Sequence, residues 1–315
     1  MRRRSLLGAA LAVAVGGCAT PEERLRIMVP NPPGSGYDIT ARVLASVLDS
    51  AGIARGVEVF NLPGGNGLVG LRRLVYERGN DRLLMLMGLG LVGASAGAAV
   101  QLRDATPIAR LVQEPAVLVV RRDSPYGSLD ELIEDWRADP AGVRIGGGSS
   151  VGGPDHLATM LVAAAAGLSP SRVAYQRHDG GGDLLAAILG REVAFAMSGL
   201  SEYADQIASG QLRALAVTSE KPVPQVPAPT VRDAGLNVVF NNWRGLMAPP
   251  GLPAASVSSL RDFVASLTAA PAWTAAQGRF GWTGAYLAGA PFEAFLAAEG
   301  ERVSGVLQRL GLQAS

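Results

Sequence analysis

The order of structural elements is set by RLRIMVPNPPGSGYD, residues 24–38. The first six residues are typical of a buried strand, residues 30–36 carry the prolines and glycines of a turn, and Asp38 is a suitable N-cap for the helix that follows. The same order returns at once, with a strand at 57–60, a turn at 63–67 and an amphipathic helix at 68–76. Strands that alternate with helices predict an α/β fold, with mainly parallel sheets flanked by helices.

This alternation continues along the chain. Further strands are predicted at 83–87, 117–121, 143–145, 193–197, 212–217 and 238–241. Further helices are predicted from the capping box at Ser128 and Glu131 to just before Pro140, from Pro154, at 183–189, at 202–208 and within 254–310. Residues 88–97 and 146–153 are rich in glycine and small residues and are predicted to be loops.

The chain is longer than one hydrophobic core usually supports, so two lobes are predicted. Prolines at positions 222, 224, 227 and 229 indicate a boundary loop. We assign residues 25–120 and 238–315 to a first lobe and residues 121–237 to a second.

The amino terminus has the features of an export signal. Arg2, Arg3 and Arg4 precede an apolar run at 6–15, which is too short to span a bilayer as a helix. The run ends in Val15-Gly16-Gly17-Cys18, which resembles the lipobox of bacterial lipoproteins, and Cys18 is the chain's single cysteine. We therefore predict a signal peptide at 1–17, lipidation at Cys18, a tether at 18–24 and an extracytoplasmic, lipid-anchored protein. The export route, general or twin-arginine, stays open.

Composition excludes several classes of function. The net charge is +1 and Lys221 is the only lysine, so no basic surface for nucleic acid is expected. One cysteine cannot form a disulfide framework, and His156 and His178 alone cannot complete a zinc cluster. We predict no metal and no cofactor.

Glycine-rich turns between strands and helices suggest what the chain binds. They lie at 34–36, 64–67, 88–97 and 146–153. Such turns leave backbone N–H groups free at the next helix N-terminus, where the helix dipole favours a carboxylate or phosphate. Any one of them is also explained by the tight turn that glycine permits, but four on a two-lobed chain favour a ligand cleft.

Two glycine patterns could instead indicate an enzyme. Residues 65–70 match the dinucleotide fingerprint but lack a convincing acidic residue about twenty positions later, and no Gly-Lys pair exists for a Walker phosphate loop. Gly148-Ser149-Ser150-Val151-Gly152 matches the nucleophile elbow of serine hydrolases, with Asp155, His156 and His178 downstream. A serine hydrolase is the main alternative to a binding protein, and an inert envelope scaffold is a third.

Several motifs in order resemble the substrate-binding proteins of tripartite tricarboxylate transporters, the Bug family, and most closely its tricarboxylate-binding branch. They are VPNPPGSGYD at 29–38 with Thr40-Ala41-Arg42, NLPGGNG at 61–67, GGSS at 147–150 leading to His156, LRALAVT at 212–218, and NWRG at 242–245 with APPG at 248–251. The resemblance covers nearly the whole mature chain. It implies a two-lobed periplasmic-binding-protein (flytrap) fold, a small di- or tricarboxylate ligand, integral-membrane transporter subunits as partners, and no enzymatic activity.

The resemblance also implies ligand contacts by position. The first lobe would contribute Gly34, Ser35, Gly36, Tyr37, Asp38, Gly88 and Gly90, and the second Ser149, Ser150, Gly152, His156 and Ser198. Backbone amides of the opposed loops would hold one carboxylate. The chain departs from the family pattern at Ser35, where glycine is usual, and in the proline-poor stretch at 81–104.

Arg244 is added from its own position, because it follows Trp243 in a strand-like segment that crosses between the predicted lobes. Its guanidinium is expected to meet a second ligand carboxylate. A surface or interlobe salt bridge is the alternative.

Overall fold

Within residues 24–95 and 97–311, which a computed structural model describes, the chain forms ten β-strands and ten α-helices. The signal peptide at 1–17, Cys18 and the tether up to residue 23 lie outside the described residues. The strands are β1 (Arg26–Val29), β2 (Glu58–Asn61), β3 (Leu83–Gly88), β4 (Thr106–Arg121), β5 (Ile145–Gly147), β6 (Tyr175–Arg177), β7 (Phe195–Gly199), β8 (Leu212–Val217), β9 (Asn241–Ala248) and β10 (Thr283–Ala288). The helices are α1 (Gly36–Ser50), α2 (Leu68–Tyr76), α3 (Leu89–Ser95), α4 (Leu129–Ala138), α5 (Pro154–Ala165), α6 (Gly181–Leu189), α7 (Leu200–Ala208), α8 (Ala254–Ala269), α9 (Pro271–Phe280) and α10 (Ala290–Arg309).

The strands form one sheet in the order β2-β1-β3-β9-β4-β7-β5-β6, with β8 and β10 also paired to β4. The long strand β4 joins the two halves of the sheet. Its first part pairs with β9 and β10, and its last part pairs with β7 and β8. The α/β class is confirmed, but the sheet is mixed rather than mainly parallel.

The parallel pairing that the alternation predicts holds in the outer groups, where β1 pairs with β2 and β3, and β5 pairs with β6 and β7. The central pairs are antiparallel because β9 enters from late in the chain between β3 and β4. Local alternation reports only on consecutive units, so it could not predict this insertion.

Helices cover both faces of the first half of the sheet, so successive side chains of β1 are buried on opposite faces. Ile27 and Val29 face a core cluster that also contains residues of α1, α8 and α9, whereas Met28 faces a second cluster with Leu71 and Leu74 of α2. The continuous apolar runs of β1 and β3 follow from this coverage by helices on both faces. Among the described residues, no helix combines the length and apolar character needed to cross a membrane.

Helix α1 begins earlier than predicted. Its N-cap is Ser35, whose Oγ accepts from the Asp38 N–H at 3.4 Å, so the prediction of Asp38 as N-cap is wrong. The Asp38 carboxylate instead accepts from the Gly34 N–H at 2.9 Å and pairs with Arg42. Asp38 thus lies within helix α1 and stabilises the turn that precedes it. Both residue types can cap a helix, so composition alone could not choose between them.

Other elements also differ from the prediction, and β6 was not predicted at all. The loop predicted at 88–97 contains α3, the strand at 117–121 is the end of the longer β4, the strand at 238–241 begins only at Asn241, and β10 was missed inside the predicted helical region. The glycines of α3 made this segment look like a loop in the sequence. At Gly93 the missing side chain allows close packing, because a Cβ there would lie 2.9 Å from the Gly152 carbonyl oxygen. The division into lobes at residues 120 and 237 stays a prediction.

Candidate functional site

The turns after four strands enclose a cavity of about 340 Å³. The lining residues of these turns fall within 30–37, 63–67, 148–155 and 177–180, after β1, β2, β5 and β6. Helix α3, Glu202 of α7, and Asn242 and Arg244 of β9 complete the wall. The carboxyl ends of parallel strands are the usual place for ligands in α/β proteins, and the volume suits a small molecule.

Seven of the predicted ligand-binding residues line this cavity, and six do not. The lining residues are Ser35, Gly36, Tyr37, Gly90, Ser149, Ser150 and Arg244. Those outside the lining are Gly34, Asp38, Gly88, Gly152, His156 and Ser198. The turns are brought together as predicted, while contact of any of these residues with a ligand stays a prediction.

Eight polar residues of the lining were missed as ligand contacts: Asn31, Asn66, Asp155, Arg177, His178, Asp179, Glu202 and Asn242. Asp155 and Glu202 both lie in the first turn of a helix that follows a strand and a glycine. That position was the available signal. It is a weak one, because an acidic side chain in the first turn also simply favours the helix dipole.

The chain's own carboxylates accept hydrogen bonds from two of the turn amides that were expected to bind a ligand. The Gly36 N–H donates to Glu202 Oε1 at 2.9 Å, across the cavity from the start of α7. The Gly148 N–H donates to Asp155 Oδ2 at 2.7 Å. At these two amides the acceptor is therefore a side chain of the protein, and binding of a ligand by the turn amides stays a prediction.

Ser198 links these two acidic side chains beneath the cavity. Its hydroxyl lies 3.0 Å from Asp155 Oδ2 and 3.4 Å from Glu202 Oε2. Burial raises the pKa of Asp155 to about 7 and that of Glu202 to about 8. Repulsion by Glu114 adds to the rise at both carboxyls, and the nearby Arg244 guanidinium partly offsets it. Burial therefore favours the protonated, neutral form of both carboxyls.

Arg244 forms a buried ion pair and also lines the cavity. Its Nη2 bonds to Glu114, and the two side chains are 2% and 0% exposed. The Gly36 backbone packs directly on the guanidinium, so any Cβ at that position would overlap Arg244. Both hypotheses for Arg244 thus have support, since a residue that pairs with Glu114 still presents its side chain to the cavity.

His156 is buried and uncharged. It is 3% exposed, its Nδ1 accepts from the Gly152 N–H at 3.2 Å, and its ring packs edge-on against Tyr175. Burial lowers the pKa of His156 from 6.5 to about 4. The residue supports the turn that precedes α5 rather than lining the cavity.

Asparagine at position 156 should remove part of the acid sensitivity of folding. Between pH 6.5 and 4 the unfolded chain binds a proton at His156 that the folded chain excludes, so the free energy of unfolding falls as the pH falls. At about 1.4 kcal/mol per pKa unit, wild type should lose roughly 2–3 kcal/mol more than His156→Asn between pH 7.5 and 4.5. Urea unfolding at both pH values measures the difference. Identical pH dependence of the two proteins would contradict a neutral buried His156.

The serine hydrolase alternative lacks a general base. Ser150 donates its hydroxyl proton to the Asn66 amide oxygen, across the cavity. His156 contacts Gly152, and His178 Nδ1 lies 3.2 Å from Asp183. Within the described residues neither histidine hydrogen-bonds Ser150, so nothing activates the hydroxyl.

Known proteins share this architecture over most of the chain. Residues 98–312 match the family described as the tripartite tricarboxylate transporter family receptor. Protein BugT of Bordetella pertussis is 28% identical over 311 residues, which cover 96% of this chain and 94% of BugT. The structure of the periplasmic binding protein BugD has a TM-score of 0.83 at 22% identity, covering 94% of this chain and 100% of BugD. A Rhodopseudomonas palustris protein solved with adipate has a TM-score of 0.80 at 22% identity, covering 91% of this chain and 97% of that protein.

These comparisons confirm the predicted family and the periplasmic-binding-protein fold. The two structural matches lie below 25% identity and bear on the fold alone, whereas the family match covers more than half of the chain. The relatives are solute receptors and not enzymes, which agrees with the missing base at Ser150. With its strand-end cavity and its family match over residues 98–312, this chain belongs to the tripartite tricarboxylate transporter receptors, the extracytoplasmic solute-binding proteins of the Bug type.

Proposed function

We propose that the cavity captures a small di- or tricarboxylate and that the protein passes it to the membrane subunits of a tripartite transporter. The observation that carries this proposal is Arg244, whose buried guanidinium lies in the cavity wall and has one edge, Nε, without a hydrogen-bond partner among the described residues. A guanidinium binds a carboxylate by charge-assisted hydrogen bonds. The adipate bound to the R. palustris relative is a ligand of this class.

Binding is expected to draw the two halves of the sheet together. Contacts already cross the cavity, because Ser150 hydrogen-bonds Asn66 and Glu202 accepts from the Gly36 N–H. A ligand that bridges the turn after β1 and the turn after β5 would add to these contacts. We therefore keep residues 25–120 with 238–315, and residues 121–237, as the two lobes of a flytrap.

Thermal melting against mono-, di- and tricarboxylates tests the proposal. A ligand at about a hundred times its dissociation constant should stabilise the protein by ~2.7 kcal/mol, which raises the melting temperature. The matched control for adipate is adipamide, which keeps the chain length and loses both charges. If no carboxylate raises the melting temperature above its uncharged control, the proposal fails.

We further propose that Cys18 anchors the receptor to the membrane through acyl chains, next to its transporter subunits. The support is the lipobox-like run at 15–18 and the family's extracytoplasmic site of action. Two or more acyl chains hold a protein on a bilayer, at about 0.8 kcal/mol for each buried CH₂. Cys18→Ala should move the protein from the membrane fraction to the soluble periplasm. A native protein that is already wholly in the soluble fraction would rule out the anchor.

A further inference from the structure

The first amide of helix α1 finds its acceptor on the other side of the cavity. Gly36 opens α1, and the first N–H groups of a helix have no partner within the helix. The Gly36 N–H donates to Oε1 of Glu202 at 2.9 Å, and Glu202 lies in the first turn of α7. Because α1 belongs to the predicted first lobe and α7 to the second, this hydrogen bond joins the two lobes directly.

The Glu202 side chain is also held in place within its own lobe. Its Oε2 lies 3.4 Å from the Ser198 hydroxyl, and the Gly181 backbone of α6 packs so closely that any Cβ there would overlap the carboxyl. On the facing side, a Cβ on Gly36 would lie 2.8 Å from Oε1. The two glycines thus leave space for this one side chain, and its contact with α1 exists only while the lobes are close together.

Two further contacts join the same lobes around the cavity. The Ser150 hydroxyl donates to the side-chain oxygen of Asn66. Helix α3 also approaches the turn after β5 so closely that a Cβ on Gly93 would lie 2.9 Å from the Gly152 carbonyl oxygen. Each of these contacts is made between two groups of the protein, so none of them needs a solute in order to form.

We infer that Glu202 acts as a latch that holds the two lobes together without a solute, so that the closed form is the main form of the free receptor. The latch is the hydrogen bond between Glu202 and the Gly36 N–H. This inference goes beyond the proposed function, because the latch does not depend on which solute the cavity takes. A solute would enter during brief openings, and its binding would add to contacts that are already formed.

The expected strength of the latch follows from the state of the Glu202 carboxyl. Burial raises the pKa of Glu202 to about 8, so at pH 7 the acceptor oxygen belongs mainly to a neutral carboxyl. A neutral hydrogen bond changes an equilibrium about twofold to tenfold. Glutamine has the same length and keeps a carbonyl oxygen, so Glu202→Gln should preserve the latch. Alanine removes the acceptor and aspartate withdraws it from the Gly36 N–H, so both should favour the open form.

Distances between spin labels on the two lobes, measured by double electron–electron resonance, test the latch in the solute-free protein. Cys18→Ala removes the chain's single cysteine, and Ser46→Cys in α1 with Ala186→Cys in α6 then provides two exposed label sites outside the cavity lining. Unfolding and refolding removes any solute that copurifies. The parent protein should show one main distance, which matches the structure. Glu202→Ala and Glu202→Asp should add a longer distance and lower the ratio of closed to open protein about twofold to tenfold, while Glu202→Gln keeps the parent distribution.

Glu192→Ala is the matched control, because it removes an exposed carboxyl of the second lobe outside the cavity and should leave the distances unchanged. Each variant is also made with Asn66→Ala, which removes the acceptor of Ser150 and makes opening easier to detect. A melting curve shows that each protein is folded. A mainly open parent protein, or the parent distances in both Glu202→Ala and Glu202→Asp with and without Asn66→Ala, would overturn the latch. Either result would leave the carboxylate receptor standing, since its own test is melting with added solute.

Discussion

Methionine in place of Arg244 should lower the free energy of unfolding by about 3–5 kcal/mol. The loss arises because Glu114, which is 0% exposed, would be left in the interior without its cationic partner. The Ser201 N–H, which donates to Glu114 at 2.9 Å, would remain but does not replace the guanidinium. Urea unfolding at neutral pH measures the difference between the two proteins.

The double variant Glu114→Gln with Arg244→Met shows whether the loss of stability comes from an unpaired buried carboxyl or from lost packing. Once both charges are removed, most of the loss should be recovered, because well-packed neutral groups replace a buried pair at little cost. Arg26→Met is the matched control, since Arg26 and Glu58 form an exposed pair, 39% and 51% accessible, which contributes at most about 1 kcal/mol. If Arg244→Met costs no more than Arg26→Met, the ion pair does not stabilise the junction of the two halves.

Alanine at position 88 should destabilise the protein by about 3 kcal/mol and weaken ligand binding. Gly88 ends β3 opposite Arg244, and an added Cβ would overlap the Trp243 carbonyl oxygen. It would also lie 2.9 Å from the Tyr37 hydroxyl oxygen. A backbone carbonyl cannot rotate aside as a flexible side chain can, so β9 must shift, and Arg244 shifts with it. Melting temperature and calorimetric affinity report the two effects.

Gly182→Ala is the control for Gly88→Ala. Gly182 lies in α6, is exposed, and has no heavy atom within 4 Å of the position of an added Cβ. Alanine there should leave binding unchanged and stabilise the helix by up to about 0.5–1 kcal/mol. Comparable effects of the two substitutions would mean that the β3–β9 contact is not tight in solution.

Much of the cavity wall could be predicted from local sequence. The turns at 30–36, 64–67 and 148–153 stand out because glycine, proline and serine interrupt apolar runs, and their place after a strand locates them at one edge of the sheet. The side chains behind these turns could not be assigned in the same way. His156 follows a glycine turn as a ligand contact would, yet it bonds back to Gly152 and does not line the cavity.

Glu202 and Asn242 show the opposite case. Glu202 lies four positions after Ser198 at an ordinary helix start, and Asn242 opens the NWRG motif two positions before Arg244, but neither was named as a ligand contact. They reach the cavity because α7 and β9 are packed there by the sheet order, which brings β9 and β7 to opposite sides of β4.

By itself the sequence determines the strand, glycine turn and helix units and the class of fold, because periodicity, caps and turns act between residues a few positions apart. Which side chains lie opposite those turns depends on the tertiary structure alone. Gly36 and Glu202 are separated by 166 positions, and Glu114 and Arg244 by 130. Charge pairing over such separations depends on how the sheet is assembled, since a carboxylate fills a helix N-terminus only when the fold places it within hydrogen-bonding distance.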